Sequence, residues 1–215
     1  GILSIFSMGV IWRSRRDLPG LRALMLFQSG VAFWAITYAM HWIETSPQAK
    51  SLWLDMTYIG VVTSPPALLV FILKFLGRAQ NRKDSIYRWL IVEPVITIIL
   101  LFTDPLHNLF YGGLRDPMQS QIYNGGIWFW INMLYIYVLI LGTLAFVIVT
   151  ILRASSVFKR QAGIILIGIS LPILANLFVF FGLNPFVGLD LTPIAMSITG
   201  LIMTVAVYAS RIFDL

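Results

Sequence analysis

Apolar residues run along the chain in seven stretches, at about 1–12, 21–43, 52–77, 86–103, 128–152, 159–181 and 190–212, each closed by charge or by Gly and Pro. Most of them have about the length at which an α-helix crosses roughly 30 Å of hydrocarbon. Segments of this kind must be helical, because lipid offers a backbone amide no partner outside its own helix. The pattern predicts an all-α membrane protein: a bundle of seven transmembrane helices forming one domain over residues 1–215. The first stretch is short. Its twelve residues reach about 18 Å, so the first helix is expected to continue upstream of Gly1.

Composition removes the soluble alternative. Of 215 residues, 59% are hydrophobic and 11% charged, with a mean hydropathy of +0.87; soluble domains carry about 25% charge. With no cysteine there is no disulfide framework, thiol nucleophile or thiolate metal site. Two histidines, His41 and His107, are too few for a metal site built of histidine alone, and no cofactor is expected. Arg13, Arg15 and Arg16 follow the first apolar run instead of preceding it, which is the wrong order for a secretory signal.

Basic residues set the expected orientation. Thirteen of the fifteen flank one set of helix ends, among them Arg13, Arg22, Lys74, Arg78, Arg82, Lys83, Arg88, Arg153, Lys159, Arg160 and Arg211, while only Lys50 and Arg115 flank the other. By the positive-inside rule, loops 13–20, 78–85 and 153–158 are cytoplasmic, the N-terminus lies outside and the C-terminus inside. The net charge of +6 is then a topology signal, and nucleic acid is not an expected partner. The outer side receives 44–51, 104–127 and 182–189. The longest of these is rich in turn formers (Asp104-Pro105, Gly112-Gly113, Asp116-Pro117, Asn124-Gly125-Gly126) yet keeps Leu106, Leu109, Phe110, Tyr111, Ile122 and Tyr123. A loop of that composition is expected to fold over the bundle mouth.

Several pieces occur in order along nearly the whole chain. They are Trp34-Ala35-Ile36-Thr37-Tyr38-Ala39-Met40, Tyr58-Ile59-Gly60 leading to Pro65-Pro66, Asp104-Pro105-Leu106-His107-Asn108-Leu109-Phe110-Tyr111, Phe158-Lys159-Arg160-Gln161-Ala162, Leu171-Pro172-Ile173-Leu174-Ala175-Asn176, Gly188-Leu189-Asp190-Leu191-Thr192-Pro193 and Arg211-Ile212-Phe213-Asp214-Leu215. Together they resemble the N-terminal seven-helix sensor region of bacterial histidine kinases, found also on some diguanylate cyclases. The resemblance implies a non-catalytic, multi-pass domain of the bacterial cytoplasmic membrane, acting in two-component signalling. It further implies a homodimer, and an attached kinase or cyclase module expected after Leu215 that receives news of a ligand or of membrane state.

Glu93 is the sharpest single residue, since a carboxylate inside a transmembrane helix is costly and usually faces the interior. It is either a proton-sensitive switch or an ordinary partner of Arg88 or Arg22. Pro65, Pro66, Pro94 and Pro172 each remove a helical hydrogen bond and leave carbonyls near Val61, Val62, Leu90 and Gly168 without donors. They act as hinges or as static kinks. Asn176, one turn after Pro172, can serve Gly168 or bridge to a neighbouring helix. Asp190-Leu191-Thr192-Pro193 reads as a helix start with a capping side chain.

The expected ligand is a small apolar or amphipathic molecule held in the outer half of the bundle under loop 104–127. Its candidate lining is Tyr38, Trp42, Tyr58, His107, Asn108, Tyr111, Asn132, Tyr135, Asn176 and Asp190, a mostly aromatic wall with a few polar groups. The bland alternative makes the aromatics an interfacial belt. A retinal receptor needs a lysine in the last helix, and none stands between Asp190 and Ser210. A small-molecule transporter or channel is the remaining rival, although Glu93 is the only intramembrane charge weighed for it. HExxH and GxSxG constellations are absent from the sequence.

Overall fold

Each apolar stretch becomes a helix, and the fourth is built in two pieces. The computed structural model describes residues 1–13, 19–76, 85–116, 124–184, 186 and 188–213. Its helices are α1 (Ile2–Arg13), α2 (Leu21–Ile43), α3 (Pro47–Leu76), α4 (Ser85–Trp89), α5 (Val92–Phe102), α6 (Ile127–Arg153), α7 (Ser156–Phe180) and α8 (Thr192–Phe213), with a 3-10 turn at Asp104–Leu106. Arg15, Arg16, Arg78, Arg82, Lys83, Pro117, Ile122 and Tyr123 lie outside the described residues.

Two boundaries differ from the expected ones for local reasons. α3 starts five residues early, at Pro47, because proline suits a first helical turn whose amides are free anyway. Just before it, the Glu44 carboxylate accepts from the amides of Thr45 and Ser46, at 2.9 and 3.1 Å. The stretch 86–103 is broken at Leu90 and Ile91, since the Pro94 ring clashes with a carbonyl four residues back. There the chain tightens through Leu90 N–H to Tyr87 O and Ile91 N–H to Arg88 O. Pro65 and Pro66, by contrast, sit inside an unbroken α3.

α2 occupies the centre, packing on α1, α3 and α8, while α3 touches α5 and α6, and α7 lies between α6 and α8. Its closest approach is to α3, where Gly30 and Gly60 meet: a Cβ on Gly60 would stand 2.4 Å from the Gly30 carbonyl oxygen. Small residues at such crossings let membrane helices gain van der Waals contact. The interior around them includes Leu24, Phe27, Val31, Phe71, Ile72, Ile165, Ile169 and Met203. Outside, Leu134, Leu141, Leu152, Ile167 and Val205 are more than half exposed, as a surface solvated by acyl chains requires. α2, α3, α6 and Ala162–Phe180 of α7 are each long and apolar enough to cross a membrane alone.

Candidate functional site

The described residues of the connections 44–46, 103–126 and 181–191 share one end of the bundle, and most candidate residues lie there. The long loop is fixed by Asp104, whose Oδ1 accepts from the amides of Phe110 (2.7 Å) and Tyr111 (3.1 Å). It is then stitched to the start of α6 by Gly126 N–H to Phe110 O and Trp128 N–H to Leu109 O. These bonds drive the Phe110 and Tyr111 rings into the bundle, where both are buried. Phe110 meets Tyr58 and Phe129 edge-on, at 5.1 and 5.9 Å.

Beneath this plug sits an ionic cluster that the sequence reading overlooked. Asp55, two turns into α3 and buried, accepts from the Tyr111 hydroxyl and pairs with Arg115. Arg115 also reaches Ser51 Oγ, at 2.6 and 2.9 Å, and lies 4.9 Å from the Tyr111 ring centre. Burial, with the Asp55 charge behind it, pushes the Tyr111 phenol above its ordinary range. The available signal was Asp55 itself, the sole acidic residue of the apolar run 52–77, set against Arg115, one of the two outer cations.

A second patch joins α2 to α8. Tyr38 Oη accepts from the Asp190 amide at 2.8 Å, and Tyr38 stacks on His41 with centroids 6.1 Å apart. Trp42, half-exposed, stands edge-on to both rings. His41 is buried and bonds through Nδ1 to the Lys50 carbonyl at 2.9 Å, tying the tip of α2 to α3. Asp190 Oδ1 caps the Thr192 amide at 2.8 Å, as its position at a helix start predicts. Loss of water raises the Asp190 carboxyl above the usual carboxylate range, against the opposing pull of its hydrogen bonds from Thr192. Thr192 Oγ1 in turn donates to Asn176 Oδ1 at 2.9 Å, which brings in α7.

A third patch lies between α5 and α6. Glu93 Oε1 accepts from Thr97 Oγ1 and Asn132 Nδ2, both at 2.7 Å, and Trp128 Nε1 donates to Thr97 Oγ1 at 2.8 Å. Glu93 therefore has neutral partners; of its two readings, the pairing with Arg88 or Arg22 is not found among the described residues. Tyr135 joins this patch, donating from its hydroxyl to the Leu90 carbonyl at 2.7 Å. Asn132 and Tyr135 thus face α5, whereas Asn176 faces α8.

The carbonyl stranded by Pro172 is served from α8. Gly168 O accepts from Thr199 Oγ1 of α8 at 2.7 Å, while Asn176 takes the bridging alternative. His107 and Asn108 serve the loop itself. His107 Nδ1 accepts from the Leu109 amide (3.1 Å), so its Nε2 carries the hydrogen and donates to Thr103 Oγ1 (3.0 Å). Asn108 takes the left-handed turn at φ 54° and is exposed, as are Leu106 and Leu109.

Among the described residues the architecture is thus seven apolar segments, the fourth made of α4 and α5, with four helices long enough to span alone, closed at one end by a loop whose buried rings are pinned to α3. A family model described as the N-terminal 7TM region of histidine kinase matches residues 1–215. The chain belongs to this family. No curated protein matches it. As a histidine-kinase 7TM region the chain is a multi-pass membrane sensory domain, and the resemblance first carried by Trp34–Met40, Asp104–Tyr111 and Gly188–Pro193 holds over its full length. Of the candidate residues, Tyr38, Trp42, Asn176 and Asp190 fall together; Tyr58 and Tyr111 form a neighbouring patch with Asp55; Asn132 and Tyr135 gather with Glu93.

Proposed function

We propose that this sensory domain receives a small apolar or amphipathic ligand at its loop end and controls a cytoplasmic histidine kinase or cyclase module attached after Leu215. In this reading the loop end faces outward, the C-terminus is cytoplasmic, the membrane is the bacterial cytoplasmic membrane and the receptor works as a homodimer. The single observation that carries it is the bond from the Asp190 amide to Tyr38, because it fixes the start of α8, the helix that runs toward the output side. The same start is held to α7 through Thr192 and Asn176. A ligand entering among Tyr38, Trp42 and Asp190 competes with these contacts and so favours one placement of α8 over another. It shifts output by no more than its difference in affinity between the two placements.

The basic residues support the orientation, since of the two outer cations Arg115 is paired with Asp55 at the loop end. A reporter fused after Leu215 tests the arrangement. Activity confined to the cytoplasm is expected, and activity confined to the outer compartment overturns the proposal.

A further inference from the structure

Away from the loop end, α1 and α8 part to leave a cleft of about 310 Å³ that opens on the lipid-facing surface beside the exposed Phe6 and Val205. Phe6, Val10, Leu201 and Val205 form its apolar walls, and Ser7, Thr204 and Tyr208 complete the lining. Thr204 lies twelve residues into α8, about 18 Å from the loop end. The cavity is therefore distinct from the patches around Tyr38 and Asp55, and lying on α1 and α8 it is distinct from the α5–α6 patch around Glu93 as well.

Its polar groups are unequal. Most hydroxyls inside this bundle bond back to a carbonyl one turn earlier, as Ser64, Thr143, Ser170, Ser197 and Thr204 do. Ser7 is fully buried, yet its Oγ has no hydrogen-bond partner among the described residues. Behind the cavity Gln28 donates to Thr204 Oγ1 at 3.3 Å, and its own Oε1 is likewise buried without a partner. A buried hydroxyl left unpaired is destabilising, and an occupant carrying an oxygen recovers that cost. At the far end of the gap the Tyr208 hydroxyl donates to the Val10 carbonyl at 2.8 Å, tying α8 to α1.

We propose that this cavity binds a membrane-borne amphipath, a small apolar body bearing one hydroxyl or carbonyl oxygen that pairs with Ser7. Its volume is at the low end of small-molecule sites, which run from about 300 Å³ upward, so the occupant is smaller than a whole phospholipid. Because the walls belong to α1 and α8, occupancy bears on the Tyr208–Val10 tie and hence on the position of the helix leading out of the domain.

The test uses the full-length protein in phosphatidylcholine nanodiscs and a diazirine-bearing medium-chain alkanol, with the matching alkane as control. Saturable labelling of peptides spanning 6–10 and 201–208 is expected for the alkanol, competed by unlabelled alkanol and weaker for the alkane. Val205→Trp, which fills the gap, is expected to abolish it. Ser7→Ala, which removes an unpaired hydroxyl without loss of packing, is expected to leave folding intact and weaken labelling about fivefold, the size of one hydrogen bond. Unsaturable labelling spread over lipid-facing positions such as Leu134 and Leu141 overturns the proposal and makes the gap an ordinary lipid contact. Labelling excluded by α1–α8 crosslinks between two copies overturns it in favour of a dimer face.

Discussion

The Tyr135 hydroxyl donates to the Leu90 carbonyl, the acceptor that Pro94 leaves without its helical donor. Thr199 does the same for Gly168, four residues before Pro172. Pro94 thus removes a bond across the α4–α5 break and Pro172 one inside α7, and in both places a hydroxyl from the next helix serves the carbonyl.

This substitution of partners predicts a compensation. Tyr135→Phe and Thr199→Val are each expected to lower stability by about 0.6–1.7 kcal/mol, the range of interhelical hydrogen bonds in membranes. In the Pro94→Ala and Pro172→Ala backgrounds, respectively, the losses are expected to shrink toward zero, because the restored amide reoccupies the carbonyl. Denaturant unfolding in detergent, arranged as two double-mutant cycles, measures this. Strictly additive effects would contradict it.

Position 93 is expected to accept a neutral donor. Glu93 Oε2 and Asn132 Oδ1 are both buried acceptors without partners among the described residues, on side chains already joined by one hydrogen bond. Glu93→Gln puts an amide N–H₂ in place of Oε2, which can donate to Asn132 Oδ1, and is expected to unfold no more easily than the parent. Glu93→Leu strands the Thr97 and Asn132 donors, at about 1–3 kcal/mol. Equal destabilisation by the two substitutions would show that charge, not hydrogen bonding, holds the patch.

Arg115→Leu leaves Asp55 buried beside Tyr111 with its cation gone. Breaking a fully buried pair costs about 3–5 kcal/mol, and the partial exposure of Arg115 reduces the expected loss to about 2 kcal/mol. Adding Asp55→Asn is expected to restore part of it. Thermal unfolding of the single and double variants is the measurement, and a double variant weaker than Arg115→Leu would refute the pairing as the cause.

Element existence was legible in the sequence, since α2 has the bounds that its apolar run gives and the Asp190 cap follows from residue type and position. What could not be read is which way each interior polar group turns. Asn132, Tyr135 and Asn176 share a depth class, yet the first two face α5 and the last faces α8, because neighbouring prolines and helix starts decide who lacks a partner. Asp55 was hidden for another reason: its partners, Tyr111 and Arg115, lie more than fifty residues away in a loop.

Asp190 predicts a pH dependence. Its carboxyl is raised in the folded protein by loss of water, so the folded state binds the proton more tightly than the unfolded one. The associated stability is fully present below the ordinary carboxylate range near pH 4, and is lost as pH rises through the folded value. Asp190→Asn removes this term, so the variant's unfolding temperature relative to wild type is expected to climb from pH 4 to pH 8. A difference that falls over that range would reverse the sign assigned here.

The central claim is that the contacts holding the start of α8 set the output, and autophosphorylation of the full-length receptor in vesicles measures it most directly. Tyr38→Phe keeps the ring and removes the oxygen that accepts from the Asp190 amide. With membrane insertion unchanged, it is expected to alter the autophosphorylation rate about fivefold, as the loss of a ~1 kcal/mol contact from one of two states does; Asp190→Ala, which removes the cap on the Thr192 amide, and Asn176→Leu are expected to act in the same direction. Rates equal to wild type in all three variants would contradict the account.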